Sequence, residues 1–405
     1  MKILFITSQV FFPPLSGLRK KIFLLLKELK EKNNKIYLFS FPKFEIPDNY
    51  FERVEFSSPL SKFVFFKNLF FSFLKNPFEI VFYINPKSFK RIKNFVKEVN
   101  PDIIFVDYIR IAHIFPYINF KNKKLILNMD DPQSLKYIKM KSLIKDIENP
   151  FGEALEDLPI LIKKILKNNF VKKLILSYEI KMMQKYEKKW TKSYDLVLTN
   201  SEKDKMYLNS IGIKNVNILP PLVKIDEDLK IEEKENYILF VGKMDYAPNP
   251  DAVNYFLKKI FPYVREVHPE VWFYIIGSNI NKDLEEKWKK EKNVKVIGRV
   301  PDVEVFYKRA KVFVSPLRFG TGIKVKILEA MSYGAPVVTT KIGAEGMKVL
   351  NRKHLLIAED EKDFALKVIE LIENKSLCEN IVKNAFKFVR ENYDIKKWTK
   401  KIFNF

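Results

Sequence analysis

The chain alternates short apolar runs with amphipathic helical patterns, and it does so in two successive series. The first series opens with KILFIT (2–7), a helical pattern over 19–32 and KIYLFSF (35–41). Apolar runs of this length predict buried strands, and strands that alternate with helices indicate parallel sheets with right-handed crossovers. The alternation therefore predicts an α/β fold.

Further strands are predicted in both series. In the first series they are DIIFVD (102–107), KLILNM (124–129), DLVLTN (195–200) and VNILP (216–220). In the second they are YILFVG (237–242), VWFYIIG (271–277), VKVIG (294–298), VFVSP (312–316) and PVVTT (336–340), with helices near 251–266, 282–291 and 302–309. Several of these strands end in glycine directly before a helix. The pattern predicts two Rossmann-like domains, whose ligands would lie at the carboxyl ends of the strands.

A polar segment, VKIDEDLKIEEKEN (223–236), separates the two series. It is acidic and poor in large apolar residues, which is typical of a linker. The 405 residues also exceed what one ordinary core supports. We therefore expect an N-terminal domain over 1–222 and a C-terminal domain from 237, facing each other across a cleft.

The charge and the cysteine content narrow the class of protein. Lys and Arg number 73 against 49 Asp and Glu, which gives a net charge of +24. Such a balance favours nucleic acid, an anionic bilayer or phosphorylated small molecules as partners, unless it only reflects solvated lysines. The single cysteine, Cys378, excludes an intrachain disulfide and indicates a reducing compartment. No run of 18 apolar residues lacks a charge, and residues 2–7 are expected to form a strand rather than a secretory signal.

One stretch, SPLRFGTGIKVKILEAMSYGAPVVTT (315–340), places Gly320 and Gly322 between a predicted strand and a helix. Glycines let the backbone approach a ligand, and the N-terminus of the following helix favours an anion. A phosphate would suit this turn, although a simple turn explains the glycines as well. Glu329 lies about two helical turns further on, where a surface glutamate is the alternative reading.

Five motifs follow one another in the second series. They are FVGKMDYAPNPDAV (240–253), IIGS (275–278), VIGRVPDVEVFYKRA (296–310), the stretch over 315–340 and IGAEGM (342–347). In these motifs, their order and their spacing, the second series resembles the donor-binding half of the group 1 glycosyltransferases, a retaining, nucleotide-sugar-dependent family with the GT-B fold. The first half is similar more loosely, through PPLSGLRKK (13–21), PDIIFVDYIRIA (101–112) and LNMDDPQSL (127–135).

The resemblance also extends to the end of the chain. FVRENYDIKKWTKKIFNF (388–405) is similar to the family's C-terminal helix, which crosses back to the first domain. This implies a donor-binding domain over 237–385 and a crossing helix over 386–405.

The resemblance implies transfer of a sugar from a nucleotide diphosphate sugar to an acceptor, with retention at the anomeric carbon. Negative charge develops on the leaving diphosphate, so positive groups aimed at it accelerate the reaction. Lys243 and Lys326 match the family's basic positions, and Arg318 is a third candidate that could instead pair with a surface carboxylate. The family's second lysine, six residues after the first, is replaced here by Asn249.

The resemblance implies further donor contacts. Two glutamates are frequent in the family; Glu329 matches the second, which binds the ribose, while Thr321 stands in place of the first and would act as a neutral donor. The nucleobase would contact the strand ends at Gly277, Arg299 and Val300. Backbone contacts to the donor are expected at Gly17, Gly242, Gly320 and Gly322.

On the acceptor side, Asp130 and Asp131 follow KLILNM, where the wider family often has a histidine. A carboxylate there would accept a proton from the acceptor or orient it. Alternatively, Asp131 begins a turn before Pro132 and caps the next helix. We assign the catalytic role to Asp131, and the choice between the two aspartates stays open. The DED at 226–228 falls in the linker, so we expect no metal and no cofactor beyond the donor substrate.

Two segments, 60–78 and 158–176, combine large apolar residues with lysines at helical spacing. They predict either interfacial helices on an anionic membrane or core-facing helices. We expect a cytoplasmic enzyme, peripheral on the inner face of the membrane, that builds surface polysaccharide or glycolipid. The alternative is a non-catalytic basic protein of the same fold that binds nucleic acid or membrane, but it would have no reason to keep Lys243, Lys326 and Glu329 together.

Overall fold

The structure is a computed structural model. It describes residues 1–13, 17–46, 50–61, 63–65, 67–68, 76–118, 122–142, 168–225, 228–229, 232–320 and 322–403. The chain forms two compact units. The first comprises Met1–Pro13 and Leu29–Pro220, and the second comprises Pro14–Glu28 and Pro221–Phe405. The expected boundary at residue 222 lies close to the observed one, but Pro14–Glu28 is grouped with the second unit.

The first unit alternates strands and helices, as the apolar runs predict. Its strands are β1 Lys2–Thr7, β2 Lys35–Ser40, β3 Arg53–Phe56, β4 Ile103–Asp107, β5 Lys124–Asp130, β6 Leu196–Thr199 and β7 Val216–Ile218. Its helices include α1 Gly17–Glu31, which begins within the second unit, α2 Phe78–Val81, α3 Pro86–Val99, α4 Gln133–Ser142, α5 Asn169–Thr191 and α6 Glu202–Ser210. A 3₁₀ helix spans Ile109–Tyr117.

The seven strands form one parallel sheet in the order β3-β2-β1-β4-β5-β6-β7. The strand order reverses between β1 and β4, which is the point where ligands bind in doubly wound sheets. There Thr7 lies beside Asp107, and Asp107 lies beside Asn128 of β5. The apolar runs of these strands are buried because helices cover the sheet; Phe95 and Val96 of α3 belong to the same core as Ile104 and Val106 of β4.

The second unit repeats this construction. Its strands are β8 Glu235–Val241, β9 Trp272–Ile276, β10 Val294–Gly298, β11 Ala310–Ser315, β12 Val337–Thr340 and β13 Leu356–Ala358. Its remaining helices are α7 Pro248–Tyr255, α8 Phe261–Val267, α9 Lys282–Lys289, α10 Glu304–Arg309, α11 Val325–Ser332, α12 Glu361–Glu373, α13 Lys375–Tyr393 and α14 Ile395–Phe403. The sheet is parallel in the order β10-β9-β8-β11-β12-β13, so its order reverses between β8 and β11.

The prediction of an α/β fold with two parallel, Rossmann-like sheets is confirmed. Some boundaries differ. The helix expected over 251–266 is interrupted by a π-helical segment, Phe256–Ile260. The expected boundary at residue 386 falls inside α13, so the last helix is α14. The crossing of the C-terminal helix to the first domain stays a prediction.

The segment expected to be a linker is partly structural. Val223 is buried in the core of the second unit, and its backbone forms an isolated parallel β-bridge with Asp394. Strand β8 already begins at Glu235. None of the helices in the described ranges combines the length and the apolar character that a membrane span requires.

Candidate functional site

Three glycines end adjacent strands of the second sheet: Gly242 after β8, Gly277 after β9 and Gly298 in β10. The Gly242 N–H donates to Ile276 O at 3.0 Å, and the Gly277 N–H donates to Gly298 O at 2.9 Å. A Cβ on Gly277 would lie 1.8 Å from Gly242 O, so no larger residue fits this crossing. The predicted donor residues Gly242 and Gly277 therefore have a packing reason of their own, and the backbone itself forms this edge of the sheet.

Asn249, which stands in place of the family's second lysine, links two predicted phosphate-binding residues. It is buried in α7, directly against Gly242. Its amide donates to Lys243 O at 2.7 Å, and its Oδ1 accepts from Lys326 Nζ at 2.6 Å. Asn249 thus fixes the turn after β8 and orients the lysine of α11.

Lys326 is half-buried, and its Nζ lies 4.1 Å from the centre of the Phe240 ring. Burial, together with the nearby charge of Lys324, lowers the pKa of Lys326 to about 7. Removal of an ammonium from water disfavours its charged form, whereas an anion beside it restores that form. A phosphate next to Lys326 would therefore bind together with a proton near neutral pH.

Lys243 follows β8 and belongs to a small polar network. Its Nζ lies 2.8 Å from Asp245 Oδ2, which also accepts from Asn279 Nδ2 at 2.8 Å. Burial alone would raise the pKa of the Asp245 carboxyl, but the hydrogen bonds from Lys243 and Asn279 lower it overall. Asn279 has a φ of 59°, a left-handed conformation that asparagine tolerates. The network holds Lys243 at the end of its strand.

A cavity of about 430 Å³ lies at these strand ends, within the second unit. Its electrostatic character is positive, because Glu285 is the only acidic residue among the described residues that line it, and Glu285 pairs with Lys289 at 2.6 Å. The cavity is lined by Arg19, Lys243, Gly277, Ser278, Asn279, Ile280, Glu285, Gly298 and Arg299. A cavity with this charge suits a phosphorylated ligand. It brings together three of the predicted donor residues: Lys243, Gly277 and Arg299.

Glu329, the predicted ribose ligand, is already engaged. Lys20 Nζ of α1 donates to Glu329 Oε1 at 2.5 Å, and the Glu329 side chain is only 13% exposed. Both residues belong to the second unit. The ion pair fixes the direction of the carboxylate, and its second oxygen is the one that could accept from a ribose hydroxyl.

Arg318 takes the alternative role that the sequence left open. Its Nε donates to Asp251 Oδ2 at 2.9 Å, and its guanidinium lies 5.0 Å from the centre of the Tyr255 ring. The hydrogen bond with Asp251 raises the pKa of Arg318. Val300 is partly buried and packs against the apolar core, so the nucleobase contact predicted at this position would fall to its backbone.

The loop between β11 and α11 needs its two glycines for their backbone conformation. Gly320 has a φ of +123° and Gly322 a φ of +76°, values that residues other than glycine rarely adopt. A Cβ on Gly322 would meet nothing within 4 Å, so its surroundings are open. Thr321 lies outside the described residues, as does the loop before Gly17. The roles predicted for Gly17, Gly320, Thr321 and Gly322 stay predictions.

In the first unit the strand ends carry polar side chains instead of glycines. Asp107 accepts from Thr7 Oγ1 at 3.0 Å through one oxygen and from Asn128 Nδ2 at 2.9 Å through the other. All three residues are almost fully buried. The two aspartates predicted on the acceptor side lie at the end of β5, where Asp130 is the last residue of the strand and Asp131 follows it. Asp130 is buried with a φ of 61°, whereas Asp131 is exposed and accepts from Asn200.

Two residues of the site were not identified from the sequence, Arg19 and Lys20. Both lie in the first turn of α1, which contains no acidic residue. The first turn of a helix normally favours carboxylates, because the helix dipole is positive there. Basic residues in this turn were therefore a usable sign of an anionic partner. In the parts of the chain that the structure describes, no three acidic, histidine or cysteine side chains are grouped as a metal site would require.

A family model described as glycosyl transferases group 1 matches residues 235–374 of the chain. An uncharacterised 44.6 kDa protein in the cps region of Klebsiella pneumoniae is 30% identical over 277 residues, which span 66% of this chain and 71% of that protein. A Campylobacter jejuni α-1,4-N-acetyl-D-galactosaminyltransferase that acts on an undecaprenol-diphosphate-linked glycan is 28% identical over 45% of this chain and 52% of its own length.

Solved structures agree on the fold. HepE from Anabaena, in complex with UDP, superposes with a TM-score of 0.67 over 100% of this chain and 99% of its own, at 12% sequence identity. WaaG, a glycosyltransferase involved in lipopolysaccharide biosynthesis, superposes with a TM-score of 0.59 over 98% of both chains, at 14% identity.

Proposed function

This chain belongs to the group 1 glycosyl transferases, and on that premise we propose that it transfers a sugar from a nucleotide diphosphate sugar to a glycan or lipid-linked acceptor, with retention at the anomeric carbon. The observation that carries the proposal is the positive cavity at the glycine-ended strands β8, β9 and β10. The UDP bound by HepE and the undecaprenol-linked acceptor of the Campylobacter enzyme support the donor and acceptor classes. The position of the Klebsiella relative in a cps region supports a role in surface polysaccharide synthesis.

The donor would be held by its diphosphate and its ribose. Lys243 and Lys326 would bind the diphosphate, and Glu329, held by Lys20, would accept from the ribose. Positive side chains beside the diphosphate stabilise the charge that develops as the sugar leaves, so they would lower the barrier more than they strengthen donor binding. These side chains supply the charge stabilisation that a metal ion provides in other transferases, and we propose a metal-independent reaction with no cofactor.

The reaction itself exchanges one bond at the anomeric carbon. The bond to the distal phosphate oxygen breaks, and its electron pair stays on that oxygen. The acceptor hydroxyl oxygen forms the new bond on the same face of the sugar, and its proton passes to the leaving phosphate or to the Asp131 carboxylate. Because the leaving phosphate can take this proton, the proposal needs no protein nucleophile.

Nucleotide binding tests this proposal directly. We would heat the protein with UDP, GDP, ADP or CDP, and with the corresponding sugars. A ligand at about a hundred times its dissociation constant adds about 2.7 kcal/mol to the free energy of unfolding, so one base should raise the melting temperature clearly. Inorganic pyrophosphate is the control for general attraction to a positive surface. Equal stabilisation by pyrophosphate and by every nucleotide, or by none of them, would contradict the proposal.

We further propose a peripheral membrane location on the cytoplasmic face. Of the segment 158–176, residues 158–167 lie outside the described part of the chain, but α5 exposes 69% of Phe170 and 55% of Leu174, with Lys173 exposed between them. Phe63, in the other segment, is 78% exposed. Apolar side chains next to lysines suit an anionic bilayer surface. Binding to anionic liposomes that disappears at high salt would support this location, and no binding at low salt would contradict it.

A further inference from the structure

The cavity contains a cationic residue to which the family's motifs assign no role. Arg19 lines it together with Lys243, Gly277 and Arg299. We propose that Arg19 contacts the diphosphate of the donor and supplies the positive charge that the chain lacks at Asn249. The inference rests on the proposed function, because the ligand is the same donor.

Asn249 is neutral, and its side chain is fully engaged in hydrogen bonds within the protein. Both ends of the Asn249 side chain are occupied, by Lys326 Nζ on one side and by Lys243 O on the other. Asn249 therefore orients the lysines but adds no charge to the site. A diphosphate carries several negative charges, and charge-assisted hydrogen bonds are roughly twice as strong as neutral ones. Another cation beside the ligand would supply the positive charge that a lysine at position 249 would provide.

Two charged residues of the cavity lining, Lys243 and Glu285, are paired with neighbouring side chains. Lys243 pairs with Asp245 at 2.8 Å, and Glu285 pairs with Lys289 at 2.6 Å. A ligand phosphate that binds Lys243 must share it with the Asp245 carboxylate. Among the described lining residues, Arg19 and Arg299 are also cationic, and Arg19 is the more buried of the two. Partial burial strengthens an ionic contact, because water screens it less.

The position of Arg19 is also held firmly. Its neighbour Lys20 forms the 2.5 Å ion pair with Glu329 of α11, which fixes the first turn of α1 within the second unit. The N-terminus of this 15-residue helix adds its own positive potential to the same region. Arginine suits the task, because its planar guanidinium can donate two parallel hydrogen bonds to one phosphate. Geometry, helix direction and residue type all favour an anion here.

The experiment compares Arg19→Gln, which removes the charge, with Arg19→Lys, which keeps it. Arg309→Gln is the matched control, because Arg309 pairs with Glu235 on the surface of the same unit, outside the cavity lining. For each protein, titration calorimetry would measure the dissociation constant of the nucleoside diphosphate that stabilises the unmodified protein in the screen above. The melting temperature without ligand would be recorded in parallel.

We expect Arg19→Gln to weaken diphosphate binding by about tenfold, Arg19→Lys by less than about threefold, and Arg309→Gln not at all. Binding by Arg19→Gln within about twofold of the unmodified protein would overturn the inference while leaving the proposed function intact. If Arg19→Gln also lowers the melting temperature, the lysine variant decides. Near-normal affinity in it supports a charge contact, and a loss equal to that of glutamine overturns it. The absence of any nucleotide binding in the unmodified protein would instead contradict the proposed function.

Discussion

The carboxyl ends of the strands are built differently in the two units. In the first sheet, Thr7, Asp107 and Asn128 lie side by side across three strands and hydrogen-bond through their side chains. In the second sheet three adjacent strands, β8, β9 and β10, end in glycines, and a cavity lies beside two of these glycines, Gly277 and Gly298. The first edge is suited to position side-chain functional groups, and the second to admit a ligand to the backbone. Substitutions at one edge or the other test whether the first positions functional side chains and the second admits a ligand.

The largest expected effect lies on the first edge, at Asp131. If its carboxylate takes the acceptor proton, Asp131→Asn should reduce transfer by about a hundred- to ten-thousandfold, the range for general acid–base groups. The asparagine keeps an Oδ1 that can accept from Asn200, so the turn should survive. Transfer rates and nucleotide dissociation constants would be measured on the same preparation.

Two results would separate the alternatives left open for this pair. Parallel losses of melting temperature and donor affinity in Asp131→Asn would favour the turn role. A large loss of transfer in Asp130→Asn, with Asp131→Asn nearly normal, would move the catalytic role to the buried neighbour. Asparagine tolerates the left-handed φ of Asp130, so this second variant isolates the carboxylate.

On the second edge, Gly277→Ala should be the most disruptive substitution. Its Cβ would lie 1.8 Å from a backbone oxygen, which cannot rotate away, so we expect the free energy of unfolding to fall by about 3 kcal/mol. Gly298→Ala is the matched control, because its Cβ would meet nothing within 4 Å and only its φ of +80° costs about 1–2 kcal/mol. Urea denaturation would measure both. Equal losses would show that crowding at the strand crossing is not what requires Gly277.

Lys326 of α11 is proposed to bind the diphosphate of the donor. Lys326→Ala should therefore reduce turnover efficiency by about ten- to a hundredfold. Near-normal activity would refute the assignment. Its titration gives a sharper signature. A lysine in the unfolded chain has a pKa of about 10.4, whereas burial, with Lys324 nearby, lowers that of Lys326 to about 7 in the folded protein. Between these values the unfolded state binds the extra proton, so this site makes stability rise with pH.

Donor binding should change in the opposite direction. A diphosphate favours charged Lys326, so its affinity should fall as the pH rises above about 7, by at most about tenfold per pH unit. Lys326→Arg stays charged and should bind with little pH dependence. Calorimetry between about pH 7 and 9 would compare the two, and parallel pH profiles would show that Lys326 takes up no proton with the ligand.

Most of the fold could be predicted from the sequence because the central strands are fully buried. KILFIT coincides with β1, in which every residue from Ile3 to Thr7 is buried, since an apolar run between helices has few other uses. Two strands, β3 and β13, were missed. Each is an edge strand of at most four residues, which is too short to produce a long apolar run. In β3 the charged residues Arg53 and Glu55 also interrupt the apolar pattern.

The site divides in the same way. Residues within local motifs, such as Lys243 and Gly277, were found because the spacing of a strand, a turn and a helix is visible in the sequence. Pairings between distant segments were not. Lys20 and Glu329 are separated by 309 positions, and no local pattern connects them. The role of Asn249 was also missed, because its bonds to Lys326 and to Lys243 O appear only when the helices are packed.

The smallest expected effect compares two buried threonines, one at each edge. Thr7 donates to the Asp107 carboxylate at 3.0 Å, whereas Thr339 of β12 donates to the neutral Ser315 carbonyl at 2.8 Å. The Thr7 hydroxyl also accepts from the Gln9 N–H at 3.0 Å, so Thr7→Val removes two hydrogen bonds and should cost about 1.5 kcal/mol, whereas Thr339→Val removes one and should cost about 1 kcal/mol in the free energy of unfolding. Valine keeps the shape and the strand preference of threonine, so packing changes little. Urea denaturation of both variants would measure the difference, with diphosphate affinity unchanged in each. A larger loss for Thr339→Val would show that the hydrogen bonds of Thr7 add no stability to the first edge, and that its side chains are held there by packing alone.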